Sequence, residues 1–181
     1  AVGLHRLFDP AALAGIQHWY QHQQAAIDDG QINAAYRVVQ EKKQAREAEL
    51  AGKREELATV FLEANAAREG VSVTDSGLQY EVLEAGDGTS PGPRSTVVTH
   101  YHGTLVDGTV FDSSVERGEP AEFGVHEVIP GWTEALQMMS VGDKWRIACP
   151  PQLAYGEQGA GNVIPPNTAL VFEIHLIEVK D

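Results

Sequence analysis

The chain has 181 residues, 43% of them hydrophobic, and carries a formal net charge of −13 at pH 7. That length suits one large domain or two small ones, and the apolar content is enough for a real core. The acidic balance repels phosphate backbones and argues against a nucleic-acid partner. Cys149 is the only cysteine, which excludes an intrachain disulfide. No stretch reaches transmembrane length, and the start AVGLHRLFDP has no long apolar run, so the chain reads as soluble and free of a targeting signal. A first residue of Ala fits either removal of an initiator Met or trimming of a longer chain.

The charge is uneven. Residues 1–70 hold 8 Lys and Arg against 10 Asp and Glu, while residues 71–181 hold 5 against 16. Residues 9–69 read as helix. Asp9-Pro10 is an N-cap followed by proline at the first helical position, Leu13, Ile16, Trp19, Tyr20 and Ile27 recur at roughly helical spacing, and Gly30 marks the end. From Gln31 to about Glu69 there is no proline, and Gly52 is the single interruption. A helix of that span is roughly 57 Å long at about 1.5 Å per residue. Ile32, Tyr36 and Val39 make one end apolar, and Leu57, Val60, Phe61 and Ala64 the other. Gln40 to Glu56 is polar apart from alanines, Leu50 and Gly52, with Glu49–Lys53 a favourable i,i+4 pair. The pattern predicts a strut joining two apolar contact sites rather than a globular core.

From Leu78 the pattern changes to short alternating runs between Gly, Pro and Asp turns. Val97, Thr99 and Tyr101 alternate with Val98, His100 and His102. Trp145, Ile147 and Cys149 alternate with Arg146 and Ala148, and Phe172, Ile174 and Leu176 with Glu173 and His175. This is the period of half-buried antiparallel strands. Trp132, Leu136 and Met139 at i, i+4 and i+7 predict one short helix, ended by Val141-Gly142-Asp143. A sheet with one apolar face wrapped on a helix is an α+β fold.

Tyr101, Phe111-Asp112, Val128 to Trp132, Tyr155-Gly156 and Phe172 form a scattered aromatic and aliphatic set with one recurring acid. The same stretch offers no nucleophile–base pair, no phosphate loop and no metal cluster. Gly86-Asp87-Gly88 and Gly159-Ala160-Gly161 read as turns, because no strand–GxGxxG–helix context surrounds them. His18/His22 and His100/His102 lack a Cys, Asp or Glu partner at ligand spacing, and the two strand histidines read as an exposed face beside Tyr101. Cys149 reads as a small buried apolar residue, and Trp145 as core or rim packing. An aromatic pocket without reactive groups suits a reaction that breaks no bond, such as rotation about an X–Pro peptide bond.

The segments HYHGTLVDGTVFDSS, VIPGWTEALQMMSVG, LAYGEQGAG and IPPNTALVFEIHLIEV resemble the FKBP-type peptidyl-prolyl cis-trans isomerases over about residues 72–180. The helices before SGLQYEVLEAG resemble the bacterial FklB/Mip-like subgroup, with a shorter N-terminal segment than is usual there. The resemblance implies a division into an N-terminal helical dimerisation module at 1–30, a connecting helix at 31–70 and an isomerase domain at 71–181. It implies catalytic-pocket residues Tyr101, Phe111, Asp112, Ile129, Trp132, Tyr155 and Phe172, with Trp132 as the floor. Arg117, Glu127, Val128, Val163 and Ile164 would contact substrate or macrolide. The implied partners are proline-containing unfolded or folding chains, tacrolimus- and rapamycin-type macrolides as inhibitors, and a second copy through the N-terminal helices. Cofactor, metal, nucleic acid and membrane are not expected. Ala121 and Ala160 stand where an aromatic and a His are common in eukaryotic members, and the segment Phe123–Trp132 is shorter than theirs, which opens one rim. HYHGTL and GEPAEF favour a cytoplasmic location, with an exported one as the alternative. A second functional reading is a chaperone that grips prolyl segments with little catalysis.

Overall fold

The computed structural model describes residue 11, residues 14–16, residue 18 and residues 29–180. Where described, residues 11–18 are helical; the Asp9-Pro10 cap, Leu13, Trp19, Tyr20, His22 and Ile27 lie outside the described residues. Contacts within the chain group into two units, Ala1–Ala48 and Glu49–Asp181.

Helix α1 runs from Asp29 to Ala66, 38 residues without a break. Gly30, expected to end an earlier helix, sits instead in the first turn of α1. Lys53 Nζ donates to Glu49 Oε1 at 2.6 Å, but both side chains are more than 60% exposed, so the pair adds little. In the first unit Ile32, Tyr36, Val38 and Val39 are all exposed.

The second unit holds the other half of α1 and the sheet. In chain order come β1 (Val71–Val73), β2 (Gln79–Glu84), β3 (Thr96–Leu105), β4 (Val110–Ser113), α2 (Ser114–Arg117), β5 (Ala121–Gly124), α3 (Pro130–Met138), β6 (Lys144–Cys149), a 3-10 turn (Pro151–Leu153) and β7 (Leu170–Lys180). The sheet is antiparallel throughout, in the order β1-β2-β6-β7-β3-β4, with β5 also pairing β3. This is the expected α+β arrangement. Along β3, Val97, Thr99 and Tyr101 are buried and Val98, His100 and His102 are not. A one-residue slip would turn the apolar set to water, so burial of one face sets the register.

Helix α3 lies against that face. Pro130 opens it, and Trp132, Ala135 and Leu136 face the core, followed by fully buried Met139. Leu78, Ile147, Leu170, Ile174 and Leu176 complete the core with no exposed surface. Each contributes about 1.5–3 kcal/mol by leaving water. After α3 the buried Asp143 carboxylate accepts from Ser140 N at 2.7 Å and Gly86 N at 2.6 Å, tying the loop after β2 to the helix end. Helix and strand approach closely at Gly131: a Cβ there would stand 2.6 Å from Cys149 Sγ.

The C-terminal end of α1 is fastened to β2 by amides. Asn65 Nδ2 donates to Gln79 Oε1 at 2.8 Å, and Gln79 Nε2 donates to the Leu62 carbonyl at 2.9 Å. Both side chains are buried. Arg68 adds bonds to Asn65 Oδ1 at 3.1 Å and Glu81 Oε2 at 3.0 Å at the surface.

Candidate functional site

A cavity of about 400 Å³ opens between α3 and the concave side of the sheet. Tyr101 comes from β3, Phe111 and Asp112 from β4, Phe123 from β5, and Glu127 to Ile129 from the segment entering α3. Trp132 is in the first turn of α3, Tyr155 follows the 3-10 turn, and Phe172 is on β7. The strand β3 and the strands paired with it, β4, β5 and β7, thus deliver side chains to one space.

The indole of Trp132, 4% exposed, is the centre of an aromatic box. Tyr101, Phe123 and Phe172 meet it at centroid distances of 5.4, 5.7 and 5.3 Å and interplanar angles of 84°, 81° and 83°. Phe111 meets Phe172 edge-on at 5.5 Å. Edge-to-face pairs set a positive ring edge against a negative face, which fixes the walls as well as lining them. Gly103 makes room for this: a Cβ there would come within 2.7 Å of the Phe111 ring.

The acid of the set is held from two sides. The Tyr101 hydroxyl donates to Asp112 Oδ2 at 2.5 Å, Arg117 Nη1 pairs with Asp112 Oδ1, and Arg117 Nη2 donates to the Tyr101 hydroxyl at 2.9 Å. The guanidinium carbon also lies 5.6 Å from the Tyr101 ring centroid. Burial pushes the Asp112 carboxyl up, but the bonds from Tyr101 and Arg117 outweigh it and hold the group below the usual aspartate range. Burial, reinforced by the Asp112 carboxylate, pushes the Tyr101 phenol up, so it stays a donor. Ser113 caps α2, which carries Arg117, by accepting from Glu116 N at 3.2 Å.

Besides the buried indole N–H of Trp132, two further donors of interest in the cavity wall have no acceptor among the described residues. One is the N–H of Ile129, the residue before α3, whose carbonyl already accepts from Trp132 and Thr133. The other is the hydroxyl of Tyr155, a side chain 41% exposed.

The structure gathers Tyr101, Phe111, Asp112, Glu127, Val128, Ile129, Trp132, Tyr155 and Phe172 around one space, and Arg117 reaches it through Asp112 and Tyr101. Val163 and Ile164 do not line it. Ala160 N donates to Ile164 O at 2.8 Å, and Ile164 N to Ala160 O at 3.1 Å, closing a small hairpin. That closure buries Ile164 in the core and leaves Val163 55% exposed. Phe123, a wall of the box, was not among the expected site residues. Its signal is the two-residue spacing from Ala121, which puts both on one side of β5.

Cys149 is fully buried, and burial pushes its thiol far up, which rules it out as a nucleophile. His100 and His102 are half-buried rather than exposed, with Nδ1 atoms 3.1 Å from Ser114 Oγ and 3.0 Å from Ser113 Oγ. Among the described residues no three His, Cys, Asp or Glu side chains are grouped to hold a metal ion, and no helix is long and apolar enough to cross a membrane.

Residues 88–177 match the family described as FKBP-type peptidyl-prolyl cis-trans isomerase, and residues 6–82 match the domain amino terminal to it. The FKBP-type 22 kDa peptidyl-prolyl cis-trans isomerase of Escherichia coli is 46% identical over 177 residues, 98% of this chain and 86% of that protein. The chain belongs to the FKBP-type peptidyl-prolyl cis-trans isomerases. The outer membrane protein MIP of Legionella longbeachae is 53% identical over 120 residues; these make up 66% of this chain and about half, 52%, of that relative. The crystal structure of FkpA from Escherichia coli superposes with a TM-score of 0.79 at 38% identity, covering 96% of this chain and 83% of that one. The expected cytoplasmic location finds no support in these relatives, one of which carries the outer membrane in its name.

Proposed function

We propose that the aromatic cavity is where this FKBP-type isomerase turns over X–Pro bonds, and that it works by desolvation and shape. The observation that carries this is a box of edge-packed rings whose lining holds no Ser, Thr, Cys, Lys or His and whose Asp112 carboxylate is already paired. Peptide rotation is opposed by amide resonance, a barrier of about 18–20 kcal/mol. Water favours the planar, more polar amide, so an apolar site that fits the twisted bond better than either planar isomer lowers the barrier. Tyr101, Phe111, Phe123, Trp132 and Phe172 hold the prolyl ring and exclude water. The free N–H of Ile129 takes the carbonyl after proline, and the Tyr155 hydroxyl donates to the carbonyl of the rotating amide. Asp112 transfers no proton; it locks Tyr101 and Arg117.

The test is a spectrophotometric isomerisation assay on a short prolyl peptide, run beside suppression of aggregation of an unfolded protein. Turnover of the peptide is expected. Its absence with aggregation still suppressed would return the protein to the chaperone reading.

The same cavity is our candidate for macrolide binding, checked by competition of tacrolimus against the peptide. Exposed Ile32, Tyr36, Val38 and Val39 and the match to the amino-terminal family domain support dimerisation through the N-terminal helices, with residues 1–30, 31–70 and 71–181 as module, connector and isomerase. Light scattering reads the mass directly. An exported location takes support from the relative named for the outer membrane; cell fractionation decides it.

A further inference from the structure

A second cavity in the second unit lies outside the aromatic one. A groove of about 520 Å³ runs between the last three turns of α1 and the segments after β6. Ala58, Leu62, Ala66, Pro150 and Pro151 give it an apolar floor, and Glu55, Glu63 and Glu157 also line it. All three are exposed, and none makes an ion pair among the described residues. No Lys, Arg or His lines the groove; Arg54 precedes Glu55 but is not one of its walls.

The groove adjoins the catalytic cavity through consecutive residues. Tyr155 lines the cavity, while Gly156 and Glu157 line the groove. The two spaces are therefore lined by one stretch of chain, and an extended client gains about 3.3–3.6 Å of reach with each residue beyond its proline. On the cavity side, the Glu127 carboxylate lies 3.9 Å from the ring of exposed His126.

We propose that this groove is a second client subsite that takes a cationic segment flanking the prolyl bond of the same polypeptide. The proposal rests on the aromatic cavity being the place where proline sits. Apolar floor and unpaired carboxylates together suit Lys and Arg side chains, whose aliphatic stems bury while their charges meet acids at the rim. The occupant is a substrate segment of basic composition, and the isomerase selects among prolyl bonds by what lies beside them.

The test uses three substrates of one prolyl core: a short peptide confined to the cavity, and extensions with a lysine-rich or a glutamate-rich tail, placed before or after the proline. The lysine-rich extension on one side is expected to lower KM about three- to tenfold relative to the glutamate-rich one, with kcat unchanged, because exposed ion pairs are individually weak. Raised salt should erase the difference. The double variant Glu55→Gln/Glu63→Gln, checked for retained helicity, should also erase it while the short peptide reports the cavity alone. Equal KM for both tails overturns the proposal. So does a preference that persists in the double variant, which would assign it to the overall charge of −13. Failure of the short peptide to turn over at all would strike the cavity reading instead.

Discussion

Replacing Asp112 by Ala separates a locking carboxylate from one that acts on the amide itself. The carboxylate accepts a 2.5 Å bond from Tyr101 and a charged bond from Arg117. A hydrogen bond to a charged group contributes about 1.5–3 kcal/mol when sheltered, but the Asp112 side chain is 43% exposed. Discounting for solvent leaves about 1–2 kcal/mol, which is roughly a five- to thirtyfold loss in kcat/KM if it all appears in the transition state. Tyr101→Phe keeps the ring against Trp132 and Phe123 and removes the hydroxyl that Asp112 holds. If Asp112 acts through Tyr101, the double variant loses scarcely more than Asp112→Ala alone. The assay is the peptide isomerisation rate across the four proteins, with urea unfolding to correct for stability. Additive losses, each change multiplying the other, would refute the lock and favour direct contact between Asp112 and the rotating amide.

The pH profile of kcat/KM should be flat from about pH 5 to 9. Asp112 is depressed, so its contribution is complete above the ordinary aspartate value and lost only as pH falls through its lower folded value, while Tyr101 titrates above its ordinary value. A step near pH 6–7 would contradict this and implicate a histidine. Phe123→Ala removes one wall of the box and should raise KM about three- to tenfold, given about 0.5–1.5 kcal/mol per aromatic pair; unchanged peptide kinetics would remove Phe123 from the site. Gly131→Ala drives a Cβ to 2.6 Å from Cys149 Sγ and should cost about 1–3 kcal/mol in urea unfolding. Adding Cys149→Ala should restore part of that loss, and strictly additive losses would show that the clash lies elsewhere.

The strands were legible because they follow from short-range periodicity, whereas the box residues came from the resemblance of the motifs that carry them. One buried face forces alternation on β3, β6 and β7, and each motif contributes neighbouring wall residues such as Phe111-Asp112 or Val128-Ile129. What sequence left obscure depends on closure in space. Val163 and Ile164 sit beside pocket motifs in the chain, yet the Ala160–Ile164 hairpin turns one into the core and the other to solvent. Phe123 escaped because β5 is four residues long and offers little alternation to read. The amide pair Asn65–Gln79 joins residues fourteen positions apart across a helix end, and no periodic pattern marks such a pairing. The histidines of β3 looked exposed because their hydroxyl partners lie on the turn into α2.

That amide pair also governs where the enzyme keeps its architecture. Neither Asn nor Gln titrates, and a buried neutral bond is barely screened by ions. The neighbouring Arg68–Glu81 bond, at the surface, weakens in brine. The helix therefore stays fastened to the sheet by a joint indifferent to the chemistry of its surroundings. An isomerase fastened in this way can meet a changing medium without its long helix parting from the sheet that walls the aromatic cavity.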